Sequence, residues 1–349
     1  MTLPVNRSFR LPAEWEAQDA VLLAWPHAQT DWCAMLDEVT AVYLELTRQI
    51  SRFEQVIIVT PDAQQVDEQL AAAAIDRGCV HLLEIATNDT WIRDFGPLTI
   101  YADGATWLLD FGFNGWGLKF AADRDNLVSR RLVTTPLLRH LPLVTRGLIL
   151  EGGSIEVDGR GTLLTTTTCL LGPNRNPQLS RQDLESELGG LFGAQHFLWL
   201  EHGWLAGDDT DAHIDTLARL CPDDCILYVR CDDPADEHFA ELQQMEQQLA
   251  AFTTAQGQPY RLLPLPWPQA QFDDGERLPA TYANFLIING AVLVPCYADR
   301  ADAQALATVA LAFPDREIIG IDCRALIKQH GSLHCITMQL PAGVLSCHN

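Results

Sequence analysis

Lysine is almost missing from this 349-residue chain. Lys119 and Lys328 are its only two, and 23 basic residues face 46 acidic ones for a formal net charge of −23. So few cations make a poor general nucleic-acid binder, which needs a basic face to displace phosphate counterions. The same balance argues against docking on anionic lipid. It suits a cationic substrate, although net charge speaks first to solubility. No apolar run approaches the ~18 residues of a membrane-crossing helix. Residues 1–19 mix Arg7, Arg10, Glu14 and Glu16 with prolines and lack the apolar stretch of a secretory signal, so a cytoplasmic protein is expected. Gly-x-Gly-x-x-Gly after a strand and a Walker-type Gly-Lys-Ser/Thr are also absent, which removes the commonest nucleotide-binding readings.

Cysteine is present, ten times, scattered through a chain too large to need stapling, and free thiols are expected. Cys221, Cys225 and Cys231 with His238 could be drawn as a zinc site. Their spacing matches no common knuckle, and Cys225 opens the apolar run Cys225-Ile226-Leu227-Tyr228-Val229. Buried structural thiols are expected there, with no metal and no cofactor.

With 48% hydrophobic and 20% charged residues, the chain can bury a sizeable core. Short apolar runs alternate with helix-like stretches. Strands are expected at residues 20–25, 55–60, 80–86, 107–111, 147–151, 161–168, 196–201, 225–230, 260–263, 284–288, 291–296 and 317–321. Helices are expected near 34–52, 63–75, 181–191, 234–251 and 301–312. Residues 264–271 read as a surface loop. Several strands come in turn-linked pairs, as across Asn289-Gly290, so the class is mixed α/β and not a strictly parallel doubly wound sheet. A loose strand–helix–strand recurrence is visible.

Four segments place polar residues where plain packing would not. Asn88 to Pro97 sets Asp89 and Asp94 beside Trp91 and Arg93, though a surface ion pair and a turn would explain it equally. Glu151 ends an apolar strand and is followed by Gly152-Gly153, which suits a close-approach turn or simply a strand end. His213 and Asp215, taken as i and i+2 on a strand, point to one face. They could be an acid/base and a cation anchor, a plain hydrogen-bonded pair, or metal ligands. Cys335 follows the small-residue turn Gly331-Ser332. It becomes a nucleophile only if His213 and the carboxylates come near it. A thiol, an imidazole and surplus acid suggest covalent thiol chemistry on a positively charged electrophile.

Trp91-Ile92-Arg93-Asp94-Phe95-Gly96-Pro97, Glu151-Gly152-Gly153-Ser154-Ile155, His213-Ile214-Asp215 and His334-Cys335-Ile336-Thr337 occur in an order that resembles the agmatine deiminase family, with its bacterial peptidylarginine deiminase branch. Leu11 to Glu16, Phe113-Asn114-Gly115-Trp116-Gly117, Asn174-Arg175-Asn176-Pro177 and Tyr282-Ala283-Asn284-Phe285 extend the resemblance from about residue 11 to the C-terminus. It implies one deiminase domain over residues 1–349 with the pentein fold, a fivefold pseudo-symmetric α/β propeller of ββαβ-like modules. It implies hydrolysis of agmatine to N-carbamoylputrescine and ammonia, a step of polyamine formation. Cys335 would be the nucleophile, His213 the proton carrier and Asp94 and Asp215 the guanidinium clamp, with Glu151 orienting the guanidinium or His213. Trp91, Asp89, Trp116 and Asn284 would bind substrate, with Asp89 or Glu156 available to a terminal ammonium. Arginine or peptidyl arginine as substrate, and guanidine binding without turnover, are the alternatives. The expected partner is a small cationic guanidine, with no nucleic acid and no membrane; a homo-oligomer is allowed for. The chain departs from the family pattern at Glu156, often His; at Ala212, often Gly; at Gly331-Ser332-Leu333, usually richer in Gly; and at Met338, usually Gln.

Overall fold

The computed structural model describes residues 9–345. The start of the charged amino-terminal segment, with Arg7, and the two outer ends of the 1–349 domain lie outside them. Four units repeat one connectivity, a short strand, a tight turn into an antiparallel second strand, a helical crossover and a third strand parallel to the second, and a fifth reproduces the same arrangement from the two ends of the chain. The first unit is Leu98–Ala102, Ala105–Gly112 and Leu143–Ile149, with Phe9–Arg10 on its edge. The second is Ile155–Val157, Thr162–Thr166 and His196–Leu200, crossed by the helix Arg181–Phe192. Ala218–Cys221, Cys225–Val229 and Arg261–Leu265 form the third, with the helix Phe239–Ala251. Leu286–Ile288, Ala291–Cys296 and Glu317–Asp322 form the fourth, with the helix Asp302–Ala312. The fifth joins the two ends of the chain. Thr337–Pro341 pairs antiparallel with Gln18–Ala24, which runs parallel to Gln55–Thr60 after the helix Leu36–Ile50. The strand Val80–Glu84 extends that sheet beyond the helix Ala63–Ala72.

This is the ββαβ recurrence that the resemblance implies. Second strands such as Val21-Leu22-Leu23-Ala24 and Val292-Leu293-Val294 are fully buried, which is why they read as continuous apolar runs without alternation. The helix Arg181–Phe192 starts in a capping box between Ser180 and Asp183 and stops at Gly193, whose φ of 71° closes the end. The first strands were the hard ones to read. Ile155–Val157 and Ala218–Cys221 have three and four residues, too few for a periodicity. Residues 264–271 are not wholly loop, because Pro264 and Leu265 complete a strand and Gln271 opens the hairpin Gln271–Asp273 with Glu276–Leu278. The residues weighed as a zinc site do not come together as four: Cys221 and Cys225 stand opposite each other on paired strands, but Cys231 Sγ lies on the Asp233 carbonyl, and both His238 ring nitrogens are engaged, by Asp236 and by the Ala206 amide.

Candidate active site

A tight turn precedes the first strand of each unit, and each turn carries a residue of interest. Asp94 lies in the one-turn helix Ile92–Phe95, before the first unit. Glu151 leads into the 3-10 turn Gly152–Ser154, before the second. His213 caps the 3-10 turn Ile214–Thr216 and Asp215 lies within it, before the third. Asn284 stands just before Leu286–Ile288 and Cys335 just before Thr337–Pro341. The strand expected for His213-Ile214-Asp215 is therefore corrected: these residues form a turn entered through Asp211 and Ala212, both at positive φ. The turn, and not a pleat, brings the imidazole and the carboxylate to one place.

That place can be fixed at Gly153. A Cβ there would stand 2.7 Å from His213 Nδ1, 2.9 Å from Asp94 Oδ1 and 3.0 Å from Asp215 Oδ2. Cys335 Sγ is 3.9 Å from Asp215 Oδ2 and 3.3 Å from Asn284 Oδ1. Asp94 is held on both oxygens, by the Gly153 amide at 2.9 Å and by Trp116 Nε1 at 2.9 Å. Asp215 Oδ2 accepts from His334 Nδ1 at 2.8 Å. Asp215 Oδ1 and both ring nitrogens of His213 are buried with no hydrogen-bond partner among the described residues. Unpaired buried polar groups are costly, and native structures keep few without a reason. Of these atoms, His213 Nδ1 lies at the Gly153 convergence, where a polar ligand would satisfy it.

The electrostatics favour a cation. Burial raises the Asp94 carboxyl, and the neighbouring His213 pulls it back. Burial alone would lower His213, but the Asp94 carboxylate 3.7 Å away, with Cys169 and Glu151, lifts it to about 10, so the imidazole carries both protons at neutral pH. Burial, then Asp215 and Asp94, push the Cys335 thiol well above its usual range. A planar cation between the two carboxylates offsets that penalty and draws Cys335 toward the nucleophilic thiolate.

A cavity of about 130 Å³ leads to Cys335 and Asp94, walled by Trp91, Trp116, Phe120, Asp89, Asp31 and Asp209 among others. Burial, partly countered by its bond from the Thr90 amide, lifts Asp89 to about 7. Trp91 and Trp116, two of the residues expected to bind substrate, line the wall. Asn284, also expected to meet substrate, lies instead beneath the Cys335 turn: its Oδ1 accepts from the amides of His334 (2.9 Å) and Cys335 (3.3 Å) as well as from the thiol. Glu151 is fully buried behind His213, where Arg175 Nε meets both its oxygens at 2.9 and 3.0 Å. Glu156 faces away from the cavity, toward Arg219 Nε and the Leu220 amide.

Two groups bring three potential metal-binding atoms within 4.8 Å of one another: Glu151, Cys169 and His213, and Glu14, Glu156 and His334. Guanidinium groups already neutralise both, Arg175 in the first and Arg93 and Arg219 in the second. Glu14 and His334 lie in the matched motifs without a role read for them, and Cys169 and Arg219 lie in none. Arg219 is the one that a sequence signal could have flagged, as an arginine inside the apolar stretch Leu217-Ala218-Arg219-Leu220.

Known proteins resemble this chain over nearly its whole length. Residues 10–341 match the family described as Porphyromonas-type peptidyl-arginine deiminase. An agmatine deiminase of Pseudomonas aeruginosa is 33% identical over 97% of each chain. The structure of a C. jejuni agmatine deiminase, a cysteine-to-serine form with substrate bound, superposes with a TM-score of 0.91 at 37% identity, over 98% of this chain and 99% of that one. A Porphyromonas gingivalis protein assigned as an arginine deiminase superposes at 0.92 with 51% identity, over 97% of this chain and 100% of that one.

Proposed function

This chain belongs to the Porphyromonas-type peptidyl-arginine deiminase family, and from that premise we propose that it hydrolyses agmatine to N-carbamoylputrescine and ammonia through a covalent Cys335 intermediate. The observation that carries the reading is the convergence of Asp94, Asp215, His213 and Cys335 around Gly153. Asp94 and Asp215 accept charge-assisted hydrogen bonds from the guanidinium, whose planar array of N–H donors needs acceptor-only partners in fixed positions. Cys335, its proton lost to solvent as the guanidinium binds, attacks the guanidinium carbon as the thiolate. His213 gives a proton to the departing ammonia, leaving an amidino-thioether; the imidazole then takes a proton from the attacking water, and the C–S bond breaks to release the ureido product and the thiolate. Glu151 keeps His213 charged, and Asn284 holds the Cys335 turn.

The choice of agmatine rests on the cavity wall. Asp89, Asp31 and Asp209 offer carboxylates, and neither a lysine nor an arginine lines it. A distal ammonium is met there, by Asp89 foremost, whereas the α-carboxylate of arginine finds like charge. Burying that carboxylate without a partner costs several kcal/mol, or roughly a hundredfold in discrimination. Parallel assays of ureido product with agmatine, arginine and a blocked arginine peptide test this. Agmatine should lead arginine in kcat/KM by at least about a hundredfold, and Cys335→Ala should be inert. Comparable values for arginine would overturn the substrate assignment; full activity in Cys335→Ala would overturn the chemistry.

A further inference from the structure

His334, the residue before Cys335, is fully buried, and each of its ring nitrogens faces a carboxylate. Nδ1 lies 2.8 Å from Asp215 Oδ2. Nε2 lies 2.9 and 3.1 Å from the two oxygens of Glu14, and 3.1 Å from Arg219 Nη2. Glu14 is anchored in turn by Arg93 Nη1 at 3.0 Å, Arg219 Nη2 at 2.6 Å and Gln339 Nε2 at 3.0 Å. Arg219 has no exposure, stacks on Phe285, and also bonds Glu156 and the carbonyls of Ala283 and Phe285. None of Glu14, Arg93, Arg219 and His334 lines the substrate cavity. The chain Glu14–His334–Asp215 thus runs from a rigid buried charge cluster to one oxygen of the guanidinium clamp, while the other oxygen of Asp215 stays unpaired.

We propose that His334 is a positioning residue: donating from Nδ1, it fixes the Asp215 carboxylate with Oδ1 turned to the guanidinium, and Glu14 holds the ring in that orientation. The proposal rests on the guanidine-hydrolysing reading. It also explains an asymmetry. Asp94 is oriented by an indole and a backbone amide, whereas among the described residues the imidazole that precedes Cys335 is the one nitrogen donor to Asp215, whose further contact is the Cys335 thiol at 3.9 Å. One side chain therefore sets the clamp, while its own backbone, tied to Asn284, sets the thiol beside it.

The test compares His334→Asn with His334→Gln. The amide nitrogen of asparagine can stand where Nδ1 stands and donate to Asp215; that of glutamine stands where Nε2 stands and reaches Glu14 instead. The readout is the rate of Cys335 alkylation by 2-chloroacetamidine, a planar cation, divided by that by neutral 2-chloroacetamide. It reports the carboxylate grip without turnover. Thermal melting checks that each variant is folded. Wild type should prefer the amidine. His334→Asn should keep the preference within about threefold, and His334→Gln should lose roughly ten- to a hundredfold of it, the worth of one hydrogen bond to a charged group. A merely space-filling role predicts the opposite order, since glutamine is nearer in size, so an equal or greater preference in His334→Gln overturns the proposal. Glu14→Gln, which keeps shape and removes charge, should lower the ratio several-fold; an unchanged ratio overturns the role of Glu14. Agmatine turnover by the wild type is measured alongside. Its absence with the amidine preference intact removes the functional reading and leaves the positioning role, whereas turnover with the two His334 variants alike does the reverse.

Discussion

At Gly153 the missing side chain is what lets three charged groups converge. Its φ lies outside the left-handed region, so alanine is conformationally permitted there, and the only obstacle is the crowd of His213, Asp94 and Asp215 atoms within 3.0 Å of where a Cβ would sit. Gly153→Ala should therefore leave the far-UV circular dichroism unchanged and lower kcat/KM by roughly a hundredfold, the cost of displacing catalytic groups by a fraction of an ångström to an ångström. An alanine variant within a few-fold of wild type would mean that the three groups are not held where the structure has them. Gly152 is different in kind. Its Cβ would meet the Arg93 carbonyl at 2.2 Å, so substitution there breaks the turn itself. The sequence marked the pair as a close-approach site but could not tell which glycine meets backbone and which meets chemistry.

The five pre-strand turns are the elements that make the site, and they were the least legible part of the chain. Turns of three or four residues carry no periodicity, and His213-Ile214-Asp215 imitates a pleat because i and i+2 are both polar. The second strands and helices read well, since Val56-Ile57-Ile58-Val59 and the amphipathic stretch Leu36–Ile50 advertise their burial. Motif order singled out Asp94, His213, Asp215 and Cys335, which the fold gathers in one place. Glu14 lies in the matched segment Leu11 to Glu16 yet was given no part, and Arg219 lies in no motif, because both make their contacts with partners hundreds of positions or a whole unit away. The third turn carries visible strain: Ala212 sits at a φ of 63°, a conformation in which glycine loses nothing and alanine does, and where the family often has glycine. Ala212→Gly should accordingly be neutral to stabilising, by up to about 1 kcal/mol, because relief of the left-handed backbone offsets the extra freedom of the unfolded chain. Denaturant unfolding of the two proteins checks it; a loss of more than about 1 kcal/mol would place the importance in the Ala212 methyl group rather than in the backbone.

For the whole molecule, the buried acids set how stability depends on pH. Burial raises Glu54 to about 7, Asp89 to about 7 and Asp125 to about 8, and His213 holds its protons to about 10 against an ordinary value of 6.5. In each case the fold binds a proton more tightly than the unfolded chain does. The stabilisation is complete below the unfolded value and is lost as pH climbs through the folded one. Glu14 and Asp215 act oppositely, but their acids lie below the ordinary carboxylate range and change nothing above pH 6. Between pH 6 and pH 9 the melting temperature should fall, by about 5 °C or more. A flat profile in scanning calorimetry would show that the fold leaves these groups as the unfolded chain has them, the carboxyls ionised and His213 uncharged. The ring is closed by pairing Thr337–Pro341 with Gln18–Ala24, and this has a consequence for the order of synthesis. Among the described strands, the one that completes the Gln18–Ala24 sheet comes last in chain order, and Cys335 stands two residues ahead of it. During synthesis Asp94, Glu151, His213 and Asp215 are therefore all made before Cys335. On the proposed chemistry, a chain stopped short of Cys335 would hold the carboxylates and the imidazole without the thiol that captures a guanidine, and that thiol would arrive beside the strand that joins the two ends of the fold.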